Sequence, residues 1–276
     1  MFLDERFLSK GTIKILNEKK IIAEYRNSKP FPHLIIENFL DSEIANRISD
    51  LFPNYNDQYL HRYSNAIEEK KVTNDWNKFP KELYSIFLYL CSENFTSLLR
   101  RISDAPSLQA DLGLHGGGIH MHKRGGKLNA HLDYSIHPKV KLQRKLNFLL
   151  YLTPNWQKEW GGELCFFENS SKKVAGKLLK KIEPIFNRAV IFDVTKNSWH
   201  GLPKPINCPH HISRNSLAVY YLQLPDDLAV QEREKALFIP ADWQRGDVDI
   251  ENLCRDRSKI DKSKEVYIKK KYNKNK

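Results

Sequence analysis

His131-Leu132-Asp133 sets an imidazole and a carboxylate two residues apart. On an extended strand residues i and i+2 project to the same face, so both side chains enter one space. His200 follows Asp133 by 67 residues, after an apolar β-type run, and supplies a second imidazole. Two histidines and one carboxylate on one face of an octahedron leave three positions free, the donor set of non-haem ferrous oxygenases. Those positions suit a chelating 2-oxo acid and dioxygen. The far carboxylate of such an acid needs a cation. Arg214 stands 14 residues after His200 and opens a strand-like run. Its planar fork suits bidentate carboxylate binding. Ser216, two residues on, shares that face, and its hydroxyl is placed to bond the same carboxylate.

These residues need strands to hold them. From residue 112 onward, short β-type runs separated by Gly and Pro cover 117–122, 129–134, 145–152, 163–167, 189–194 and 215–222. Such spacing predicts an antiparallel sandwich or barrel. In 145–152 the alternation sends Leu146, Phe148, Leu150 and Leu152 to one side and Asn147, Leu149 and Tyr151 to the other. A barrel with a wet interior wants inward polar groups. Asn147 and Tyr151 are therefore candidates to contact the 2-oxo acid.

Ahead of this region the chain is expected to be helical. Residues 1–29 are lysine-rich without a strong period, and Leu34, Ile35 and Ile36 read as a strand. Asp41 or Ser42 caps a helix running to about Leu51. Residues 54–75 read as a polar loop, and 80–102 carry a helical apolar stripe. After Leu224 a charged helical segment leads to a basic end. The expected organisation is thus an extension (1–29), a helical part on the core (30–110), a catalytic core (111–224) and a C-terminal helical segment with a basic tail (225–276).

Composition narrows the class. The chain has 276 residues, 41% of them hydrophobic and 28% charged, as in a soluble globular protein with a sizeable core. No apolar run approaches the roughly 20 residues that cross a bilayer. The charged start MFLDERFLSKG is unlike a signal peptide. Cys91, Cys165, Cys208 and Cys254 form no CxxC pair, which argues against a disulfide framework or a thiolate zinc site. A reducing, cytoplasmic setting is the expectation. The net charge of +12 is uneven: residues 255–276 hold ten Lys/Arg against three Asp/Glu, a net of +7. A solvated tail is the simpler reading of that segment.

The motifs resemble the prolyl 4-hydroxylase-like branch of the Fe(II)/2-oxoglutarate-dependent dioxygenases. The resemblance is carried by His131-Leu132-Asp133, the run from Arg144 to Leu152, Trp160-Gly161-Gly162-Glu163-Leu164, the run from Pro184 to Phe192, Trp199-His200-Gly201 and Arg214-Asn215-Ser216-Leu217-Ala218. With the 31–39 segment it spans roughly residues 30–223. It implies a mainly β, α+β fold with flanking helices around a double-stranded β-helix (jelly-roll) core. It also implies Fe(II) on His131, Asp133 and His200, and 2-oxoglutarate on Arg214 with help from Tyr151. Dioxygen is then the second co-substrate, with ascorbate an optional addition. The implied reaction hydroxylates a C–H bond with release of succinate and CO2. Asp133 favours hydroxylation over halogenation, since related halogenases lack the carboxylate ligand. The longer gap between His200 and Arg214 departs from the family pattern.

Other readings stand beside this one. His120-x-His122 is a rival pair of metal ligands, or, with His115, a lining of the substrate entrance. His210-His211 reads as surface. Gly116-Gly117-Gly118 and Gly125-Gly126 read as turns, since no GK[ST] follows. Arg144 and Arg188 flank strands and read as partners of carboxylates. The substrate class stays open between a prolyl residue in a protein and a small metabolite or sugar unit. A non-catalytic jelly-roll module that binds metal is the alternative of a different class. A nucleic-acid substrate is disfavoured, because the basic tail has no aromatic-basic interleaving in the core to support it.

Overall fold

A computed structural model describes residues 6–168, 174–195, 198–226, 235–259, 262 and 265–267. Two helices, α1 (Lys10–Asn17) and α2 (Lys20–Asn27), precede the first strand, where the sequence shows no strong period. Ser9 caps α1 by accepting from the Thr12 amide. Leu16, Ile21 and Tyr25 are the buried residues that hold this pair down. β1 (His33–Ile36) and α3 (Ser42–Asp50) follow as expected. The Asp41 carboxylate accepts from the amides of Glu43 and Ile44 and so starts α3. Residues 54–75, expected as a loop, contain the hairpin β2 (His61–Ser64) and β3 (Glu68–Thr73). The apolar stripe forms two helices, α4 (Lys81–Leu90) and α5 (Glu93–Ser103).

The remaining strands are β4 (Gln109–Ala110), β5 (Gly118–His122), β6 (Lys127–Leu132), β7 (Gln143–Tyr151), β8 (Leu164–Phe167), β9 (Leu178–Ile182), β10 (Ala189–Asp193), β11 (His200–Leu202), β12 (Arg214–Gln223) and β13 (Leu237–Phe238). All six expected runs are strands. All pairings are antiparallel, and the main path runs β1-β10-β7-β12-β5-β3-β6-β11-β8-β9. The path curls on itself. Tyr151 of β7 and Val190 and Phe192 of β10 share a buried cluster with Leu164 and Phe166 of β8 and Ile182 of β9. The expected mainly β architecture with flanking helices is what forms.

The alternation in β7 decides the two faces. Leu146, Phe148, Leu150 and Leu152 join the large cluster that includes Phe87, Phe95 and Leu99 of the helices. Leu149 and Tyr151 turn to the interior cluster instead. The helices therefore cover the outer face and leave the inner face of the curl for the site. Phe148 is fully buried against Phe39 and Phe95. Truncating such a residue to Ala removes roughly 3–5 kcal/mol.

Beyond the curl, β13 pairs with β6, and α6 (Val248–Arg257) packs beside it. Ile250, Leu253, Cys254 and Val266 are buried with Ile67 and Phe238. The charged C-terminal segment is thus held to the core through α6 and again at Val266 and Tyr267, while 260–261, 263–264 and 268–276 lie outside the described residues. The expectation of a solvated tail fails for this first part, because Arg257 and Tyr267 both bond the buried Glu68 carboxylate. No described helix is long and apolar enough to cross a membrane.

Candidate active site

His131 lies in β6 and Asp133 one residue past its end. His200 opens β11 directly opposite His131 in the antiparallel register. The sheet thus brings together residues 69 positions apart in sequence. One ligand atom from each of His131, Asp133 and His200 lies within 4.8 Å of the others, and all three residues are buried. This is the only such group of His, Cys, Asp and Glu among the described residues. The imidazole rings are 4.3 Å apart.

The backbone fixes the tautomers. His131 Nδ1 is 3.0 Å from the Asn129 carbonyl and His200 Nδ1 is 2.8 Å from the Ser198 carbonyl. A carbonyl oxygen only accepts, so each Nδ1 carries the proton. The two Nε2 atoms are thereby turned inward and face Asp133 oxygens at 3.7 and 3.8 Å. Metal-ligating histidines are oriented in this way by bonds to their other nitrogen. Burial, aided by His200, pushes the His131 imidazole down to about 3, so it is neutral at pH 7. Phe238 stacks on His131 at 4.9 Å, and Phe192 meets His200 edge-on at 4.8 Å.

Asp133 is held from the other side. Tyr220 Oη donates to Oδ1 at 3.2 Å, and Arg144 Nη1 lies 3.5 Å from the same oxygen. Burial alone would raise the Asp133 carboxyl, but His200, Arg144, His131 and the Tyr220 hydroxyl together hold it below its usual range. The Arg144 guanidinium sits between the rings of Tyr134 and Tyr220, at 3.5 and 3.4 Å. It also donates to the His115 carbonyl and the Tyr134 hydroxyl. Arg144 does pair with a carboxylate, as expected, and that carboxylate is Asp133. Arg188 pairs with Glu37 at 2.7 Å.

Arg214 starts β12, level with His122 of β5. Its Nε donates to the Gly162 carbonyl at 2.8 Å, and its guanidinium lies 4.6 Å over the Tyr151 ring. Gly162 has φ +80°, and a Cβ there would meet Arg214 Cδ at 3.1 Å and Trp156 at 3.2 Å. The glycine lets the arginine pack this close. Ser216 lies between Tyr151 and His120 in register, and Asn147 between Tyr220 and Phe192. All are buried. Contacts run from Arg214 to Tyr151, through the interior cluster to Phe192, and on to His200.

Several buried polar atoms here have no hydrogen-bond partner: both ring nitrogens of His122, Arg214 Nη2, Tyr151 Oη and Asn147 Oδ1. Such atoms are rare in folded proteins unless something else binds them. Burial pushes the Tyr151 hydroxyl up and the Arg214 guanidinium down. Burial also pushes His122 well below its ordinary value, with Arg214 and Lys70 adding to the effect. The rival pair His120-x-His122 does not form a metal group among the described residues; both side chains stand on the inner wall beside Arg214.

Sequence reasoning missed Tyr220, Lys70 and Phe238. Tyr220 was within reach, since it keeps the strand parity of Arg214 and Ser216. Phe238 carries no local signal, because its contact spans 107 positions of chain, from 131 to 238.

The arrangement matches known proteins. Residues 117–222 match the 2OG-Fe(II) oxygenase superfamily. The mouse prolyl 3-hydroxylase OGFOD1 is 23% identical over 203 residues, which cover 70% of this chain and 33% of that protein. The Xenopus laevis prolyl 3-hydroxylase OGFOD1 is 24% identical over 186 residues, covering 66% and 33%. The chain spans about a third of the length of these curated relatives. Among solved structures, a Trichoplax adhaerens prolyl hydroxylase in complex with a hypoxia-inducible-factor peptide superposes with a TM-score of 0.55. It has 20% identity and covers 80% of this chain and 96% of that one. A Pseudomonas putida prolyl-4-hydroxylase gives 0.51 at 16% identity, covering 74% and 100%. These likenesses support the jelly-roll fold. The family likeness lies in residues 117–222, the stretch that holds His131, Asp133, His200 and Arg214.

Proposed function

We propose that the protein is an Fe(II)- and 2-oxoglutarate-dependent hydroxylase, with iron on His131, Asp133 and His200 and the distal carboxylate of 2-oxoglutarate on Arg214. The observation that carries this reading is the convergence of two tautomer-fixed Nε2 atoms and one carboxylate within 4.8 Å. The donor set fits Fe(II): two imidazoles, one carboxylate and a shell that orients each. Bound iron would supply the dioxygen chemistry. In the overall balance one oxygen atom enters a substrate C–H bond as a hydroxyl. The other enters succinate as 2-oxoglutarate loses CO2.

The chain's own residues do the rest. Arg214 anchors and orients the co-substrate by charge-assisted bonds in a dry pocket. Tyr151, Ser216 and His122 line the same pocket and offer further donors. Asn147, on the adjoining wall, offers another polar contact. Tyr220 and Arg144 keep Asp133 ionised and aimed, and Phe238 and Phe192 wall the imidazoles off from water. The four cysteines form no disulfide, which suits a reducing, cytoplasmic setting that keeps iron ferrous.

The substrate we favour is a prolyl residue in a protein, supported by the prolyl hydroxylase relatives. A small metabolite or sugar unit fits the same chemistry. The test is succinate formation from 2-oxoglutarate under Fe(II) and oxygen, with prolyl peptides added, for the wild type and His131→Ala. Turnover that disappears in the variant supports an oxygenase. Iron binding without turnover on any substrate pool would instead make the protein a non-catalytic metal-binding module.

A further inference from the structure

We propose that the primary substrate presents an anionic group, a carboxylate or a phosphate, to Lys70 on the inner wall beside the metal triad. The proposal rests on the hydroxylase reading above. Lys70 belongs to β3, which lies between β5 and β6 in the sheet. Val72 pairs with His120 and Lys71 with Met121, so Lys70 is level with His122. His122 is in turn level with Arg214 of β12. Arg214, His122 and Lys70 thus stand in a row across three adjacent strands, in steps of about 5 Å. By strand parity the Lys70 side chain leaves β3 on the face that carries Val72 and, across the ladder, His120 and His122.

The other buried cations of this wall have their answers. Arg144 meets Asp133 at 3.5 Å, and Arg257 meets Glu68 at 3.2 Å. Arg214 is matched to the distal carboxylate of 2-oxoglutarate. Lys70 has a lesser share. Its ion pair is with Glu68 Oε2 at 3.8 Å, too long for a hydrogen bond, while Glu68 Oε1 already accepts from Arg257 and Tyr267. Beneath it the Tyr63 ring lies 5.2 Å away. The side chain is only 14% exposed, and its ammonium shares Glu68 with Arg257 and Tyr267. Burial pushes Lys70 down and Glu68 only partly opposes this.

A half-buried ammonium that shares its carboxylate with a second cation is favoured when a further anion meets it. Asp133 and the near carboxylate of 2-oxoglutarate would together balance an iron dication, so neither is left for Lys70. The distal carboxylate goes to Arg214, about 10 Å away across two strand spacings. The third component of the reaction, the substrate, remains to supply the charge.

The experiment loads wild-type protein with Mn(II) and saturating N-oxalylglycine without oxygen. Acetate and inorganic phosphate are then titrated by calorimetry against a chloride-matched background. Lys70→Met and Lys70→Gln are run in parallel, the second keeping a donor for Glu68 should the first fail to fold. At least one anion is expected to bind the wild type saturably and about ten-fold more weakly in the variants. N-oxalylglycine affinity should stay within about two-fold. Acetate alone points to a carboxylate substrate and phosphate alone to a phosphorylated one. The proposal is overturned if neither anion binds the wild type, or if the variants bind as the wild type does. It is equally overturned if N-oxalylglycine affinity falls in step, which would move Lys70 to the co-substrate. Failure of the underlying reading looks different: the wild type would not bind N-oxalylglycine with Mn(II) at all.

Discussion

The two ends of the inner wall differ in how well their polar atoms are provided for. At the triad, both Nδ1 atoms donate to backbone carbonyls, and Asp133 is bonded by Tyr220 and flanked by Arg144. Around Arg214, by contrast, His122, Tyr151, Asn147 and one guanidinium nitrogen are buried with atoms that bond to nothing in the protein. The protein bonds both Nδ1 atoms and Asp133 Oδ1 at the first end, while at the second Arg214 keeps one bond, from Nε to the Gly162 carbonyl. That contrast is what a preset metal centre beside an unfilled anion pocket requires.

The contrast can be broken by exchanging the roles of the two ends. The largest effect is expected at Arg214. Arg214→Leu should weaken 2-oxoglutarate by about 100-fold, as loss of one member of a buried charged pair does. Mn(II) affinity, measured by calorimetry without co-substrate, should stay unchanged. A parallel loss of both would mean that Arg214 shapes the triad rather than the pocket.

Tyr220→Phe should do the reverse. It removes one bond to Asp133 and should lower metal affinity roughly ten-fold, the lower end for residues that orient a ligand. Binding of 2-oxoglutarate to metal-saturated protein should hardly change. An unchanged metal affinity would show that Arg144 alone suffices to aim the carboxylate.

A smaller, graded effect is expected from pH on the metal-free protein. His120 is pushed down to about 3 and His122 well below its usual value, chiefly by burial. Below about pH 6.5 the unfolded chain takes up protons that these two refuse when folded. Stability is therefore fully present above that pH and is lost as pH falls toward 3. Urea midpoints measured at pH 7.5, 6 and 5 should fall in that order. A midpoint that rises on acidification would contradict the neutral assignment.

The same contrast explains what could be read from the sequence. His131-x-Asp133 and the alternation in β7 were legible because strand parity alone sets which way a side chain points. Arg214 and Ser216 were legible for the same reason. The β2–β3 hairpin was not: its EEKK run reads as a solvated loop, since Glu68 and Lys70 face an interior whose charges come from distant residues. Arg257 and Tyr267, which satisfy Glu68, lie 189 and 199 positions further on. Helices α1 and α2 were hidden by lysines around a narrow buried stripe. Propensity does not reveal a contact that exists only after the chain has closed.

The central claim is that three side chains converge on one ion and leave half its positions open. X-ray absorption of the anaerobic Fe(II) protein tests it most directly, taken with and without 2-oxoglutarate and repeated for His131→Ala. The account predicts a six-coordinate N/O site with two imidazoles, whose spectrum changes as the 2-oxo acid replaces water, and loss of one imidazole in the variant. A wild-type spectrum with no histidine scattering, or one that His131→Ala leaves unchanged, would contradict it.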